Sequence, residues 1–275
     1  MKLITGPANS GKAERVLAET RREAARGGEP WLVVPTVADE REYRRELARD
    51  GLVLGARVVR FPALLGEAAR RAGLSGPQLE GPLRTRLMGV LAREVGDGAT
   101  GGLREGRARE LERLVAELEA LHLTPQAVSA SMAEWAGDGD EGAAEAAALV
   151  ASVYGRYRDL LAAIGWCDAE LQAAGALDEL RRNPWRWGAT PVQFYGFDDL
   201  TAVQRDAIET LAVVVGAPVT VALSYEPGRM AFAARGGTYE ALRPWATELV
   251  ALDPASEHYS AAARDSLSHI ERGIF

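Results

Sequence analysis

Seven residues near the start of the chain, Gly6-Pro7-Ala8-Asn9-Ser10-Gly11-Lys12, constrain its fold more than any other stretch. They match GxxxxGK, and a sequence of this glycine and lysine content produces that pattern by chance only ~0.02 times. Just before them stands the short apolar run Lys2-Leu3-Ile4-Thr5. After them, Ala13, Val16, Leu17, Thr20 and Ala24 recur at helical spacing until Gly27-Gly28. A strand feeding a helix through such a turn aims several backbone N–H groups at one point, and the helix dipole and a lysine add positive charge there. Gly6 and Gly11 permit the turn, Asn9 and Ser10 complete it, and Lys12 reaches the outer phosphates. The full pattern continues with Ser or Thr, whose hydroxyl ligates Mg²⁺. Here that position is Ala13, which offers no oxygen. Two readings stay open: a loop that holds ATP or phosphate weakly and metal poorly, or one kept only for its turn geometry.

The rest of the chain supplies the surroundings such a loop needs. Trp31–Val34 is a continuous apolar run stopped by Pro35, the pattern of a strand buried on both faces. A charged helix, a strand near Arg57–Phe61 and a helix to about Ala72 follow, so strand–loop–helix recurs and predicts a parallel sheet. From about Leu79 to Leu180 the periodicity is helical. Leu111, Leu114, Val115, Leu118 and Leu121 form one stripe, and Val150, Val153, Tyr154, Tyr157 and Leu161 another. Thr124-Pro125 reads as a helix start, and Gly-rich breaks lie at Gly96–Gly102 and Gly137–Gly142. Strand signals return at Val192–Gly196, Pro218–Leu223 and Glu248–Leu252. Asp199 or Thr201 is placed to cap a helix to about Ala212, and Ser260–Arg272 reads as the last helix. The expectation is an α/β chain: a RecA-like P-loop domain of residues 1–78 and 186–275, with an all-helical insert over 79–185. The apolar ending Gly273-Ile274-Phe275 suggests the N-terminal fragment of a longer protein.

Composition excludes several classes. One cysteine, Cys167, allows no internal disulfide or multi-cysteine zinc site, and three scattered histidines build no histidine-rich metal centre, so no metal site is expected. No apolar run reaches the ~20 residues of a membrane helix, and no signal peptide opens the chain, which points to the cytoplasm. The net charge of −7 is uneven: residues 1–86 carry 16 basic and 11 acidic side chains, residues 87–275 carry 16 and 28. A nucleic-acid surface would therefore lie in the first third.

The order of segments resembles the first motor domain of UvrD/Rep-type helicases. The glycine loop is followed by Val33-Val34-Pro35-Thr36, by Arg60-Phe61-Pro62-Ala63-Leu64-Leu65, by the helical stretch, and by Tyr195-Gly196-Phe197-Asp198-Asp199-Leu200-Thr201-Ala202-Val203-Gln204. In those enzymes the second and third segments line a single-strand DNA path, which the resemblance carries to Thr36, Arg60 and Phe61. A surface ion pair for Arg60 and a core position for Phe61 are the competing readings. The last segment is similar to their Walker B stretch through Phe197, Asp199 and Gln204. There the Mg²⁺-holding Asp aligns with Tyr195 and the catalytic Glu with Gly196, a degenerate Walker B. The His of the third segment aligns with Pro62, and the adenine-gripping segment upstream of the loop has no room. This set of losses is similar to the AddB (RexB) subunit of bacterial ATP-dependent helicase–nucleases and related RecB-family PD-(D/E)XK nucleases.

That resemblance implies a helicase-like domain without ATPase activity, working in DNA double-strand-break repair and recombination. It would hold single-stranded or duplex-end DNA beside an AddA-like helicase–nuclease subunit. The exonuclease domain with its iron–sulfur cluster would lie beyond Phe275, making the whole protein a hydrolase. The alternative is a stand-alone P-loop ATPase or small-molecule kinase, which needs a carboxylate where Tyr195-Gly196 stand. Asp168 reads as a helix N-cap, and Trp185 and Trp187 as packing at the return from the helices.

Overall fold

The four residues Trp31–Val34 are all buried and form a strand with a neighbour on each side, as a run with no polar alternation must. In the computed structural model, residues 1–49, 51, 53–74, 76–95, 105–137 and 141–273 are described. The chain is an α/β protein with six parallel strands. In chain order its elements are β1 (Lys2–Gly6), α1 (Lys12–Ala25), β2 (Trp31–Val34), α2 (Val37–Leu47), β3 (Arg57–Arg60) and α3 (Phe61–Ala72). Then come α4 (Gly81–Val95), α5 (Glu105–Ala120), α6 (Pro125–Gly137), α7 (Glu141–Ile164) and α8 (Ala169–Arg182). The chain ends with β4 (Val192–Tyr195), α9 (Ala202–Glu209), β5 (Val219–Ser224), α10 (Gly236–Leu242), β6 (Glu248–Ala251) and α11 (Arg264–Gly273). The strand order is β3-β2-β4-β5-β1-β6.

Because every pairing is parallel, the strands end at the same rim. Gly6 lies beside Ser224, Val34 beside Arg60, and Tyr195 beside Ala222. The loops leaving those ends therefore share one edge, where ligands of open parallel sheets bind. One face of the sheet buries Ile4, Leu32, Val34, Val58 and Ala222 against Val16 and Leu17 of α1 and Leu47 of α2. The start of α2 is held by a capping box: the Thr36 hydroxyl accepts from the Asp39 N–H (3.1 Å), and the Asp39 carboxylate accepts from the Thr36 N–H (3.1 Å).

The chain folds as two compact units, Met1–Ala72 with Glu179–Leu200 and Gln204–Phe275, and Gly73–Asp178 with Thr201–Val203. These divisions fall six to seven residues before the 79 and 185 read from the strand signals. At the first, the Leu79 N–H donates to Cys167 O (2.8 Å) and ties the preceding loop to the helices. At the second, α8 runs unbroken across the division, and its last turn carries Glu179, which pairs with Arg186 (3.4 Å). Within the helical unit, Met88, Leu91, Leu111, Val115, Leu118, Val153, Tyr154, Tyr157 and Leu161 form one buried cluster. Both predicted stripes contribute to it, except that Leu121 is exposed at the end of its helix. Thr124 starts α6 by accepting from the Ala127 N–H (3.2 Å).

Two other expectations need correcting. The helix after Asp199 does not run to Ala212 in α form: α9 stops at Glu209 and the chain continues as one π-helical turn, Thr210–Val214. The last helix begins at Arg264, four residues after Ser260. The break at Gly96–Gly102, the centre of the one at Gly137–Gly142, and Ile274-Phe275 lie outside the described residues. Among the described residues, no helix is long and apolar enough to cross a membrane.

Candidate phosphate-binding site

The turn from β1 to α1 depends on its glycines in two different ways. A Cβ on Gly6 would stand 2.6 Å from Ser10 Oγ and 2.9 Å from Leu252 O, so the loop cannot close over a larger residue there. Gly11 has open space around it but sits at φ 81°, the left-handed region, as the residue that begins α1. Asn9 is also left-handed, at φ 57°, a conformation asparagine tolerates better than most. No side chain caps α1, so the N–H groups of its first turn are left for another acceptor.

Lys12 lies under this turn with only 4% of its surface exposed. Its ammonium donates to Gly6 O (2.9 Å), to Ser10 Oγ (3.1 Å) and, closely, to Pro7 O. All three acceptors are neutral. A buried ammonium ringed by neutral oxygens and without a counter-charge is an expensive arrangement. Burial lowers the Lys12 pKa to about 8, and the nearby Arg235 guanidinium pushes in the same direction.

Arg235 is the residue the sequence reading missed, because no pattern singles it out among thirty arginines. It ends the 3₁₀ segment Met230–Arg235 that follows β5, and its guanidinium pairs with Asp198 at 2.5 Å. The same rim carries a stacked pair, Tyr225 and Tyr239, with ring centroids 4.4 Å apart. Tyr225 is joined to the loop through its N–H, which donates to Gly6 O (3.1 Å). On the other side the Asn9 amide meets His258 Nε2 at 3.3 Å. Lys12, an uncapped helix start and neutral polar groups therefore line the loop, with the Arg235–Asp198 ion pair near it.

The residues at the end of β4 offer no carboxylate to this site. Tyr195 packs edge-on against Tyr43, with centroids 5.2 Å apart. Gly196 turns the chain at φ 85°, and a Cβ there would meet the Pro35 ring at 3.4 Å. Asp198 is taken by Arg235. Asp199 accepts from the Leu200 N–H (2.7 Å) and from the Thr238 hydroxyl (3.2 Å). Asp199 thus holds its own turn and α10, not the start of α9.

The three residues assigned to a DNA path separate on inspection. Thr36 and Arg60 stand together at the ends of β2 and β3, both exposed. Thr36 is engaged in the capping box, and Arg60 Nε reaches Glu40 at 3.2 Å. Phe61 must be withdrawn: it is 3% exposed, with its ring 5.4 Å from Phe194 and 5.5 Å from Phe197, so no base can stack on it. Its position as the first residue of α3 turns it under the sheet. Trp187 is likewise buried, beneath the Arg71 guanidinium at 4.3 Å, whereas Trp185 is exposed rather than packed.

In the helical unit, Asp168 does more than cap α8 through the Leu171 N–H (2.9 Å). It is fully buried, accepts from the Tyr157 hydroxyl (2.7 Å), and faces Arg84 at 3.3 Å. Glu119 and Glu170 converge on the same spot, a grouping that resembles a metal site. Its centre is already taken by a cation, because the Arg84 guanidinium pairs with Glu170 (3.0 Å) and approaches Glu119 (4.0 Å). Burial and the adjoining Asp168 carboxylate hold Glu119 protonated well above the usual carboxylate range.

Searches of family models and of curated proteins return no match to this chain.

Proposed function

We propose that the chain is a helicase-like, DNA-handling domain of RecA-like type, whose phosphate loop binds a phosphate chain without hydrolysing ATP. The observation that carries this reading is Lys12, a buried ammonium inside a GxxxxGK loop whose acceptors are all neutral. An incoming phosphate would replace neutral carbonyls with a charged acceptor, meet the N–H groups of the first turn of α1, and compete with Asp198 for the Arg235 guanidinium. Turnover needs more than that. Phosphoryl transfer requires Mg²⁺ across the outer phosphates, a carboxylate that holds it, and a group that positions the attacking water. Ala13 has no hydroxyl, and Tyr195 and Gly196 stand where those carboxylates belong. The remaining groups bind ground state and transition state alike, and uniform binding does not speed the chemical step. A stand-alone ATPase or kinase is disfavoured on the same ground.

The DNA reading rests on the segment order shared with UvrD/Rep-type helicases and on Thr36 and Arg60 lying on the same rim as the loop. Single-stranded DNA would exchange places with Glu40 on Arg60. An AddB-like chain would hold one strand there while an AddA-like partner supplies the motor, with Gly73–Asp178 as the inserted subdomain.

The test is steady-state ATPase with and without single-stranded DNA, together with calorimetric binding of ATP and pyrophosphate. Pyrophosphate binding abolished by Lys12→Ala, with no turnover in either condition, is expected. DNA-stimulated hydrolysis abolished by Lys12→Ala would mean a live motor and end this proposal. For DNA, affinity should fall on going from 50 to 200 mM salt, with a slope of ~0.7 per phosphate contacted, and weaken in Arg60→Ala. An affinity indifferent to both would remove the proposed path.

A further inference from the structure

The helical unit contains a second cationic site, independent of the phosphate loop. Residues 73–178 carry 9 basic and 17 acidic side chains, a net charge of −8. Against that background, a groove of about 620 Å³ between α4 and α5 is lined by Arg86, Arg93 and Arg109 and, among the described residues, by no carboxylate. Its two helices approach closely at small residues: Gly89 has no side chain, and a Cβ there would meet Ala108 Cβ at 3.6 Å. Arg86, Gly89 and Arg93 follow one stripe of α4, and seven residues place the two arginines about 10 Å apart along the axis. Arg84 of the same helix turns inward to Asp168 and Glu170, and Arg156 and Arg158 of α7 pair with Glu94 and Glu119. Arg86 and Arg93 have no ion-pair partner among the described residues and are exposed. Thr85 borders the groove with its hydroxyl directed to Glu112.

We propose that this groove binds a compact polyanion, a triphosphate group long enough to bridge its arginines, through Arg86, Arg93 and Arg109. Guanidinium groups match phosphate oxygens in pairs, and their weaker hydration lets them exchange water for phosphate at low cost. The volume lies within the ~300–1,000 Å³ of small-ligand pockets. An extended nucleic-acid strand fits the surroundings poorly, because beyond the groove the same two helices bear Glu94, Glu110, Glu112 and Glu117. Each phosphate outside the groove would meet a like charge, whereas a compact ligand stays within the arginines. The floor of glycine and alanine carries no aromatic ring to stack on a base, so recognition rests on the phosphates.

The experiment is calorimetric titration of the full chain with sodium tripolyphosphate in EDTA, in a Lys12→Ala background that removes the loop as a competing site. One bound tripolyphosphate is expected, with affinity reduced at least tenfold in Arg86→Gln/Arg93→Gln and about threefold or more in either single variant. Both positions are exposed, and unchanged far-ultraviolet circular dichroism verifies folding. A dT oligonucleotide should not displace the tripolyphosphate. An affinity unchanged in the double variant overturns the proposal, as does an oligonucleotide that competes at lower concentration than tripolyphosphate. The loop reading is judged separately, by pyrophosphate binding that depends on Lys12, so either site can fail alone.

Discussion

Replacing Lys12 by methionine should stabilise the unliganded protein while destroying its phosphate site. The lysine pKa falls from 10.5 to about 8, so keeping the ammonium charged in the folded loop costs about 2.5 pH units. At about 1.36 kcal/mol per unit, the cost near neutral pH is bounded at about 3.4 kcal/mol, and water at the loop mouth reduces it to about 2–3. Methionine keeps the length and the apolar stem but leaves Gly6 O, Pro7 O and Ser10 Oγ without their donor, which returns about 1–2 kcal/mol. The balance is a gain of about 1 kcal/mol, or a melting temperature higher by about 2–4 °C. The pH signature has a definite sign. The folded pKa lies below the unfolded one, so between about pH 8 and 10.5 the unfolded chain binds more protons. Wild-type stability therefore rises with pH through that window relative to Lys12→Met, by up to about 1.4 kcal/mol per unit. The second readout is ligand: pyrophosphate at about a hundred times its Kd should stabilise the wild type by about 2.7 kcal/mol and the variant not at all. Urea denaturation across pH 7–10.5, with and without pyrophosphate, measures both. A variant less stable than wild type by more than about 1 kcal/mol, or one that keeps the pyrophosphate effect, would refute the argument that Lys12 is an uncompensated cation held for an anion.

Three further outcomes follow from contacts already described. Glu119→Gln should fold and lose a pH slope: the native carboxyl keeps its proton when the unfolded one releases it near 4.5, so wild-type stability falls as pH rises above that value, by up to about 1.4 kcal/mol per unit, and the glutamine chain should show a flatter profile in the same urea titrations. Arg84→Met removes the cation shared by Asp168 and Glu170 and should cost about 3–5 kcal/mol, read by chemical denaturation; a cost under about 1 kcal/mol would mean the cluster needs no guanidinium. Gly6→Ala forces its methyl against Ser10 Oγ and Leu252 O, so pyrophosphate binding should drop at least tenfold; binding at wild-type affinity would show that the loop relaxes freely.

What the residue order determined by itself was the local part of this protein. The loop was legible because GxxxxGK is a contiguous pattern with a backbone purpose. The strands were legible because Trp31–Val34 is apolar on both faces and Val192–Tyr195 is apolar but for Gln193, and the helical stretch because Leu111 to Leu118 and Val153 to Leu161 keep a 3.6-residue period. Asp168 was readable as a cap, since capping acts over three residues. Everything that depended on distant partners was decided only by the tertiary structure. Whether Phe61 faces solvent or Phe194 is set by a strand more than a hundred residues away. That the exposed Asp198 serves Arg235 follows from two charges far apart in sequence meeting at the surface, and Arg84 fills an acidic cluster because in a low-dielectric interior each buried carboxylate must find a cation or keep its proton. Arg235 and the Arg86–Arg93 groove belong to the same class: thirty arginines look alike along the chain, and only folding separates those bound to a carboxylate from those left facing an anion's place.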